Sequence, residues 1–582
     1  MKHALFLRLF VFLSSLVEAW GMFRKRSKGY NPEEMEPRKR LRENLGDLDL
    51  ANDVSGERMR EVFKDAVAAG LPGFRRLAGK EGVDWNHQRD LTRALLHGSA
   101  WPKPYFVEIP TWCPSKKKVV SSRVPILLPH ELVGVIWERS TPEEFLKRGG
   151  LSQAAASHLD FVSQSIQEPQ VLGLGLWMDA TPCNWDRSES IETISLSFPG
   201  LQAEGGLVRI PLSAFLKRHF AKHVTADALY SVLAWSFDCL IRGVNPRVRH
   251  DGSPWRQTDK ARARAAGKPL GCKGCVVEVR CDWACLKETF RFPGWNENGG
   301  CCYRCRATPD TIRECHADAS WREADQRHTH WTLFCKMCEE GKGISSIFSI
   351  PFLTTAQFAI DWLHCCDQGV AQDFLGNTLL HLQAKMAGAN YSLRIQELFE
   401  LIKACYARNK TESRLDHLTL LMLRKSATAA PKLRSRAGEA RGLVPVVREL
   451  ASTLLLDTDP IDQTVKEAAV LLDKCYAMLS AAQFNHVTLK ESCRKFCLLY
   501  VSLESHFGDG HSWKFKPKFH IWQELCEESN VCPSTCWTYR DEDFGGSVAK
   551  IGRRRGGRNS PGATATSVLD KFRAKHDPPR IV

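Results

Sequence analysis

Several things are missing from this 582-residue chain, and each absence removes a class of protein. After the first twenty residues no apolar run reaches the roughly 20 residues that a membrane-spanning helix needs, so a multi-span membrane protein is excluded. There is no H-E-x-x-H pair of the kind carried by helical zinc hydrolases, and no Ser-His-Asp arrangement that would make a protein nucleophile. The 22 cysteines are scattered through a long chain, which does not suit a disulfide framework; reduced thiols and at least one metal cluster are expected instead. Acidic residues are in deficit. Against 66 Asp and Glu stand 81 Lys and Arg, a formal net charge of +15, which favours a polyanionic partner such as nucleic acid. The length is too great for one core, so two to four domains are expected.

What is present changes along the chain. Met1–Trp20 is apolar with an early Lys and resembles a signal peptide. Arg8 interrupts it, however, and no small-residue cleavage site follows, so residues 1–21 read as a signal-like segment or a spurious upstream start. Residues 22–56 lack hydrophobic periodicity and carry the basic clusters Phe23–Lys28 and Pro37–Arg42. They read as a disordered basic arm with a nuclear-localisation or nucleic-acid role. Residues 57–169 are expected to form a helical N-terminal domain, extended and loop-rich over 100–135, with a helix opened by Thr141-Pro142-Glu143-Glu144.

The most informative stretch is Val171–Asn184, VLGLGLWMDATPCN. An apolar run ending on a carboxylate is the pattern of a buried strand whose tip holds a metal or ligand. Ile191–Phe198 alternates as a second strand and Leu207–Leu212 as a third. A helix runs from Ala226 to Arg242 and ends at Gly243, and Cys275–Arg280 is a fourth strand followed at once by Asp282. The order is β-β-β-α-β over residues 170–300. Residues 301–505 read as a zinc-binding and helical insertion, with helices at Leu393–Tyr406, Leu415–Arg424, Val444–Leu455 and Val465–Leu479. Residues 506–555 read as the C-terminal part of the same core, and 556–582 as a flexible basic tail.

Four segments, in this order, carry a family likeness: GLWMDATPCN (Gly175–Asn184), VRCDWACLKETFRFPGWNENGGCCYRC (Val279–Cys305), IDWLHCCDQGV (Ile360–Val370) and KPKFHIWQEL with CWTYRDEDF (Lys516–Phe544). They resemble the RNase H-like DDE transposases, above all the CACTA-type and related cut-and-paste elements with C-x-x-C and D-x-x-H motifs between the second and third acids. The likeness rests on order and spacing along one chain. It implies an α/β protein with an RNase H-like mixed sheet and a large, mostly helical insertion. It also implies a transposase that cleaves and joins double-stranded DNA at transposon ends, as a homo-oligomer, with no small-molecule substrate and no membrane role.

The resemblance places the three catalytic acids at Asp179, Asp282 and Glu542, where they would hold Mg²⁺ or Mn²⁺. Two such ions roughly 3.5–4 Å apart activate the attacking oxygen and stabilise the leaving one, so carboxylates suffice. Asp361 competes with Asp282 as second acid. Two features depart from the pattern. No zinc-finger or helix-turn-helix module for reading DNA ends is visible, and Gly545-Gly546 weakens the helix expected to carry Glu542. The alternative is therefore a catalytically inactive, transposon-derived DNA-binding or interaction protein.

Cys302 and Cys305 have the spacing of zinc ligands, and a structural zinc needs four N or S ligands. Cys335 and Cys338 would complete a Cys₄ site. The family pattern offers Asp361 and His364 instead, and His316, His328 and His330 lie nearby in sequence. Lys516 and Lys518, in an aromatic and basic segment, and Arg553, Arg554 and Arg555 are candidate phosphate contacts.

Overall fold

The computed structural model describes residues 56–68, 75–78, 92–93, 95–97, 99–184, 186–203, 206, 208–297, 300–426, 428–508, 510–553 and 560–582. The signal-like segment and both basic clusters of the N-terminal arm lie outside them.

Among the described residues six strands form two sheets: a hairpin of β1 (Tyr105–Cys113) and β2 (Lys118–Ile126), and a mixed sheet of β3 (Val171–Pro182), β4 (Ser190–Ser197), β5 (Arg209–Leu216) and β6 (Lys273–Arg280). In the mixed sheet the order is β5-β4-β3-β6. β3 pairs antiparallel with β4 and parallel with β6, and β4 pairs antiparallel with β5. The four strands match the four expected from the sequence within a few residues. β3 reads as a nearly continuous apolar run because helices cover both of its faces.

Thirteen helices of use here are α1 (Pro129–Arg139), α2 (Gln153–Ser165), α3 (Lys222–Arg242), α4 (Trp283–Glu288), α5 (His330–Glu339), α6 (Gln372–Gln383), α7 (Tyr391–Arg408), α8 (Ala437–Leu454), α9 (Pro460–Ala477), α10 (His486–Phe507), α11 (Pro517–Glu528), α12 (Tyr539–Arg553) and α13 (Pro561–Lys575). α3 buries Leu229, Leu233, Phe237 and Leu240, and stops where Gly243 turns left-handed (φ 67°) and donates back to Cys239 and Leu240. Among the described residues α3 is the one helix apolar and long enough to cross a membrane, but 67% of its most apolar 18-residue stretch is buried within the fold. α2 sets Leu159 and Val162 against Val171 and Val277, and α12 sets Val548 and Ile551 against Ile191 and Leu216. Each such side chain, fully buried, contributes roughly 1.5–3 kcal/mol.

Three expectations are corrected. Residues 57–169 are not wholly helical: β1 and β2 pair over nine residues each. The signal was the alternation of buried Tyr105, Val107 and Ile109 with exposed Glu108 in a β-branched and aromatic run. Residues 556–582 are not a flexible tail throughout, since α13 is capped by Ser560 and buries Val568, Leu569 and Phe572 against the rest of the molecule. Of Leu415–Arg424 only Leu420–Leu423 is helical. The other insertion helices form as expected, and α8 to α11 pack on one another in succession.

Candidate functional site

The tip of β3 is where the acids gather. Trp177 pairs with Arg280 across the parallel β3–β6 ladder. Asp282 follows the end of β6 by two residues, at the N-cap of α4, close enough for the Asp179 charge to raise its pKa. Glu542 arrives from the first turn of α12, and His364 from the segment after Ile360. The ligand-capable atoms of Asp179, His364 and Glu542 all lie within 4.8 Å of one another.

Glu542 is aimed by its neighbours. Thr538 donates its backbone N–H to Asp361 Oδ1 and its hydroxyl to Asp361 Oδ2, both at 2.8 Å. The Tyr539 hydroxyl donates to Asp367 Oδ2 at 2.7 Å. Asp541 is fully buried and accepts from Arg209 Nε at 2.5 Å and from Arg280 Nη1 at 3.0 Å. Asp543 is exposed. Of the three consecutive acids, one is tied to arginines, one faces solvent, and Glu542 alone enters the site. Gly545, read from sequence as a weakness, is what lets α12 touch β3: a Cβ there would stand 2.6 Å from Thr181 Oγ1 and 2.8 Å from the Trp177 ring.

His364 sits at the start of a π-helical segment, Leu363–Ala371, a geometry concentrated at functional sites. Asp361 Oδ2 accepts both the His364 backbone N–H, at 2.9 Å, and Nδ1–H, at 2.7 Å, leaving Nε2 toward Glu542 Oε1 at 3.6 Å. Burial alone would lower the His364 pKa, but the Asp361 hydrogen bond and the charges of Asp361, Glu542 and Asp179 lift it to about 9. Burial, then the Asp179 charge, pushes Glu542 up to about 9. Asp282 is raised by burial and by Asp179, and Glu192 of β4 is raised to about 7 by burial, with Asp179 and Asp282 among the charges acting on it.

This is the electrostatic signature of a site short of positive charge. Glu542 Oε1 is buried and has no hydrogen-bond partner, so a divalent cation would satisfy an orphaned acceptor and relieve like-charge repulsion. The donor set, carboxylate oxygens with one imidazole nitrogen, fits Mg²⁺ or Mn²⁺, and the nitrogen tilts it toward Mn²⁺. Between the two contenders for second acid, Asp361 has both oxygens engaged by Thr538 and His364 and works as a positioning residue. Asp282 caps α4 through Oδ1, which accepts from Cys285 N–H at 2.6 Å, and it feels the charge of Asp179.

A second cluster lies within the fold. Cys302, Cys305, His520 and Glu524 are each buried, and their ligand atoms lie within 4.8 Å of one another. Cys305 Sγ is 3.2 Å from His520 Nε2, Cys302 Sγ is 4.0 Å from Glu524 Oε1, and His520 Nε2 is 3.5 Å from Glu524 Oε1. Ligands around a tetrahedral zinc stand about 3.4–3.8 Å apart, given Zn–S near 2.3 Å and Zn–N or Zn–O near 2.1 Å. Arg304 N–H donates to Cys302 Sγ at 3.2 Å, and Arg327 Nη1 lies 2.6 and 2.7 Å from the two Glu524 oxygens. With two thiolates, one carboxylate and Zn²⁺, the Arg327 charge brings the cluster to neutrality.

The Cys₄ expectation is corrected here. Cys335 and Cys338 are exposed on α5, because that helix turns Leu333, Phe334 and Met337 inward. His520 and Glu524 were missed as candidate ligands. Their signal was the i, i+4 spacing on one helix face, hidden in a segment read for its lysines and aromatics.

Beside the acids opens a cleft of about 580 Å³, walled by Asp282, Trp283, Trp295, His364, Lys432 and Lys514 among others. Lys516 and Lys518 line it too. Lys516 is paired with Asp373 at 2.7 Å, and Lys518 donates to the His364 carbonyl at 2.8 Å, its pKa lowered by burial. Arg553 Nε donates to the Cys183 carbonyl at 2.6 Å, and Arg554 and Arg555 lie outside the described residues. No protein-family model matches the chain, and no curated protein matches it.

Proposed function

We propose that this chain is a DDE-type DNA transposase or its close derivative, with an RNase H-like core that cleaves and transfers DNA phosphodiesters under divalent-metal control. The observation that carries the reading is the meeting of Asp179, Glu542 and His364 near the end of β3, with Asp282 just beyond the end of the neighbouring β6 and under the Asp179 charge. The strand order β5-β4-β3-β6, with one parallel pair, supports this reading.

Asp179, Glu542 and Asp282 would hold the cations, with His364 as a further ligand once it gives up its proton. Bound divalent ions would polarise the scissile phosphate and stabilise the leaving oxygen. Asp361 holds the His364 ring in one orientation. Thr538, Tyr539 and Asp541 fix the first turn of α12 so that Glu542 has little freedom to leave the site. Lys514 would contact phosphates flanking the scissile one, joined by Lys432 and Lys516 where they leave Gln368 and Asp373, while Lys518 braces the His364 carbonyl, and Trp283 and Trp295 offer faces for unpaired bases. The test is nicking of supercoiled plasmid by the full chain with Mg²⁺ or Mn²⁺. Nicking is expected in the wild type and absent in Asp179→Asn; equal nicking by both would refute the assignment.

A second reading, an inactive DNA-binding descendant, is favoured by one observation: Asp282 spends an oxygen on its own helix terminus. Salt-sensitive DNA binding without metal-dependent nicking would decide for it. The buried Cys302, Cys305, His520 and Glu524 are proposed to hold a structural zinc, since all four ligands are closed off from solvent and leave no open coordination position. One zinc per chain by elemental analysis, lost in His520→Ala, is the expected result.

A further inference from the structure

A cavity of about 280 Å³ lies among the β1–β2 hairpin, the loop after α3 and the C-terminal helix α13. Its cationic wall is Lys103, Arg123, Arg249, Arg256, Arg262 and Arg573. It shares no residue with the carboxylate site or its cleft.

The wall contains a single acid, Asp259, and that acid is already committed: Oδ2 accepts from Arg249 Nη1 and Oδ1 from Arg262 Nη1, each at 3.1 Å. Arg262 is further saturated by Glu131, at 2.6 and 2.8 Å, and acts as a strut. Lys103, Arg123 and Arg256 are exposed at the mouth and form no ion pair among the described residues. Arg573 lies deeper, with a side chain 7% exposed. Its Nη1 reaches Asp570 at 3.2 Å, while its Nε is buried without a hydrogen-bond partner. Arg249 Nε is likewise buried without a hydrogen bond, 4.0 Å from Asp251 Oδ1.

Aromatic rings hold two of these guanidinium groups in place without using their donors. Arg123 lies over Phe106 at 4.5 Å and Arg249 over Tyr105 at 4.7 Å. The result is a rigid, positively charged pocket with spare N–H groups, the condition for charge-assisted recognition of an oxyanion. Its volume falls just below the roughly 300–1,000 Å³ of small-molecule sites, which suits a phosphate group more than a whole nucleotide.

We infer that this pocket is a phosphate-binding site. On the reading of the chain as a DNA-processing protein, the phosphate belongs to the nucleic-acid backbone and the pocket is an anchor apart from the cleft; the same chemistry would also hold a free phosphate or phosphate ester. The test uses the full chain and the double variant Lys103→Ala with Arg256→Ala, both positions being exposed.

Inorganic phosphate, against chloride of equal ionic strength, is expected to raise the melting temperature of the wild type and not of the variant. Duplex oligonucleotide binding, followed by fluorescence anisotropy across a salt series, is expected to weaken several-fold in the variant. The slope of log affinity against log salt should fall by up to about 1.8, about 0.9 for each phosphate that the variant no longer neutralises. A phosphate effect with an unchanged DNA slope supports the site and identifies a free phosphate ester as its ligand. Neither effect in the wild type, or equal effects in both proteins, overturns the inference. Asp179→Asn should keep both readouts, so a wild type that binds here but never nicks would sink the transposase reading and leave this one standing.

Discussion

Replacing Glu542 with Gln should make the metal-free protein more stable while removing its metal response. In an unfolded chain Glu542 ionises near 4.5, and in the folded, metal-free protein near 9, because it is buried against Asp179. The folded state therefore holds the extra proton, and stability falls as pH rises between those two values. The cost is about 1.4 kcal/mol per pH unit, which at pH 7 comes to roughly 2–3 kcal/mol after allowing for the partial exposure of the side chain. Gln keeps the shape and offers an N–H to Asp179 in place of the carboxyl proton, with nothing to titrate. In EDTA, Glu542→Gln should unfold at higher denaturant than wild type from pH 7 to 9, and the gap should close toward pH 4.5. Mg²⁺ or Mn²⁺ at about 100 times its dissociation constant should then stabilise the wild type by about 2.7 kcal/mol and the variant by much less. Chemical denaturation followed by tryptophan fluorescence across pH measures both. A variant less stable than wild type at pH 8 in EDTA would mean that Glu542 is not strained by Asp179, and the argument for a cation there would fall with it.

Three further outcomes follow from the packing. Gly545→Val should push α12 away from Trp177 and Thr181, costing about 1–3 kcal/mol and reducing metal-dependent nicking together, as read by thermal denaturation and plasmid cleavage. Leu569→Ala should cost roughly 2–5 kcal/mol, because α13 is part of the core; no change in melting would restore the flexible-tail reading. Cys335→Ser with Cys338→Ser should leave zinc content unchanged by elemental analysis, whereas Cys305→Ser should abolish it.

The sheet was legible because each strand announces itself locally. VLGLGLWM is apolar beyond what a half-exposed strand needs, IETISLSF alternates, and Gly243 marks where α3 must stop. The hairpin at 105–126 was equally regular, but Pro110, Pro125 and a lysine-rich turn drew attention to loops, and its partners, α3 and α13, are distant in sequence. α13 was hidden by the glycines and arginines before it. Local composition there describes the residues that precede the helix, while the helix itself is stabilised by β2 and β5, some 350–440 residues earlier.

The same distinction runs through the site. Asp179 could be picked out because its own strand isolates it at an apolar terminus. Asp282 was assigned by the family resemblance, with Asp361 as its competitor. Glu542 could not be separated from Asp541 and Asp543 by sequence, since what sorts them is Arg209, Arg280 and Asp367, none of which is near in the chain. His364 was visible as half of D-x-x-H, but its part depends on which nitrogen Asp361 takes. Asp361 takes Nδ1 and thereby presents Nε2 to Glu542. Asp361 thus reaches the acids only through His364 and Thr538, which is why a contender for the second carboxylate by sequence becomes, in three dimensions, the residue that positions the other two.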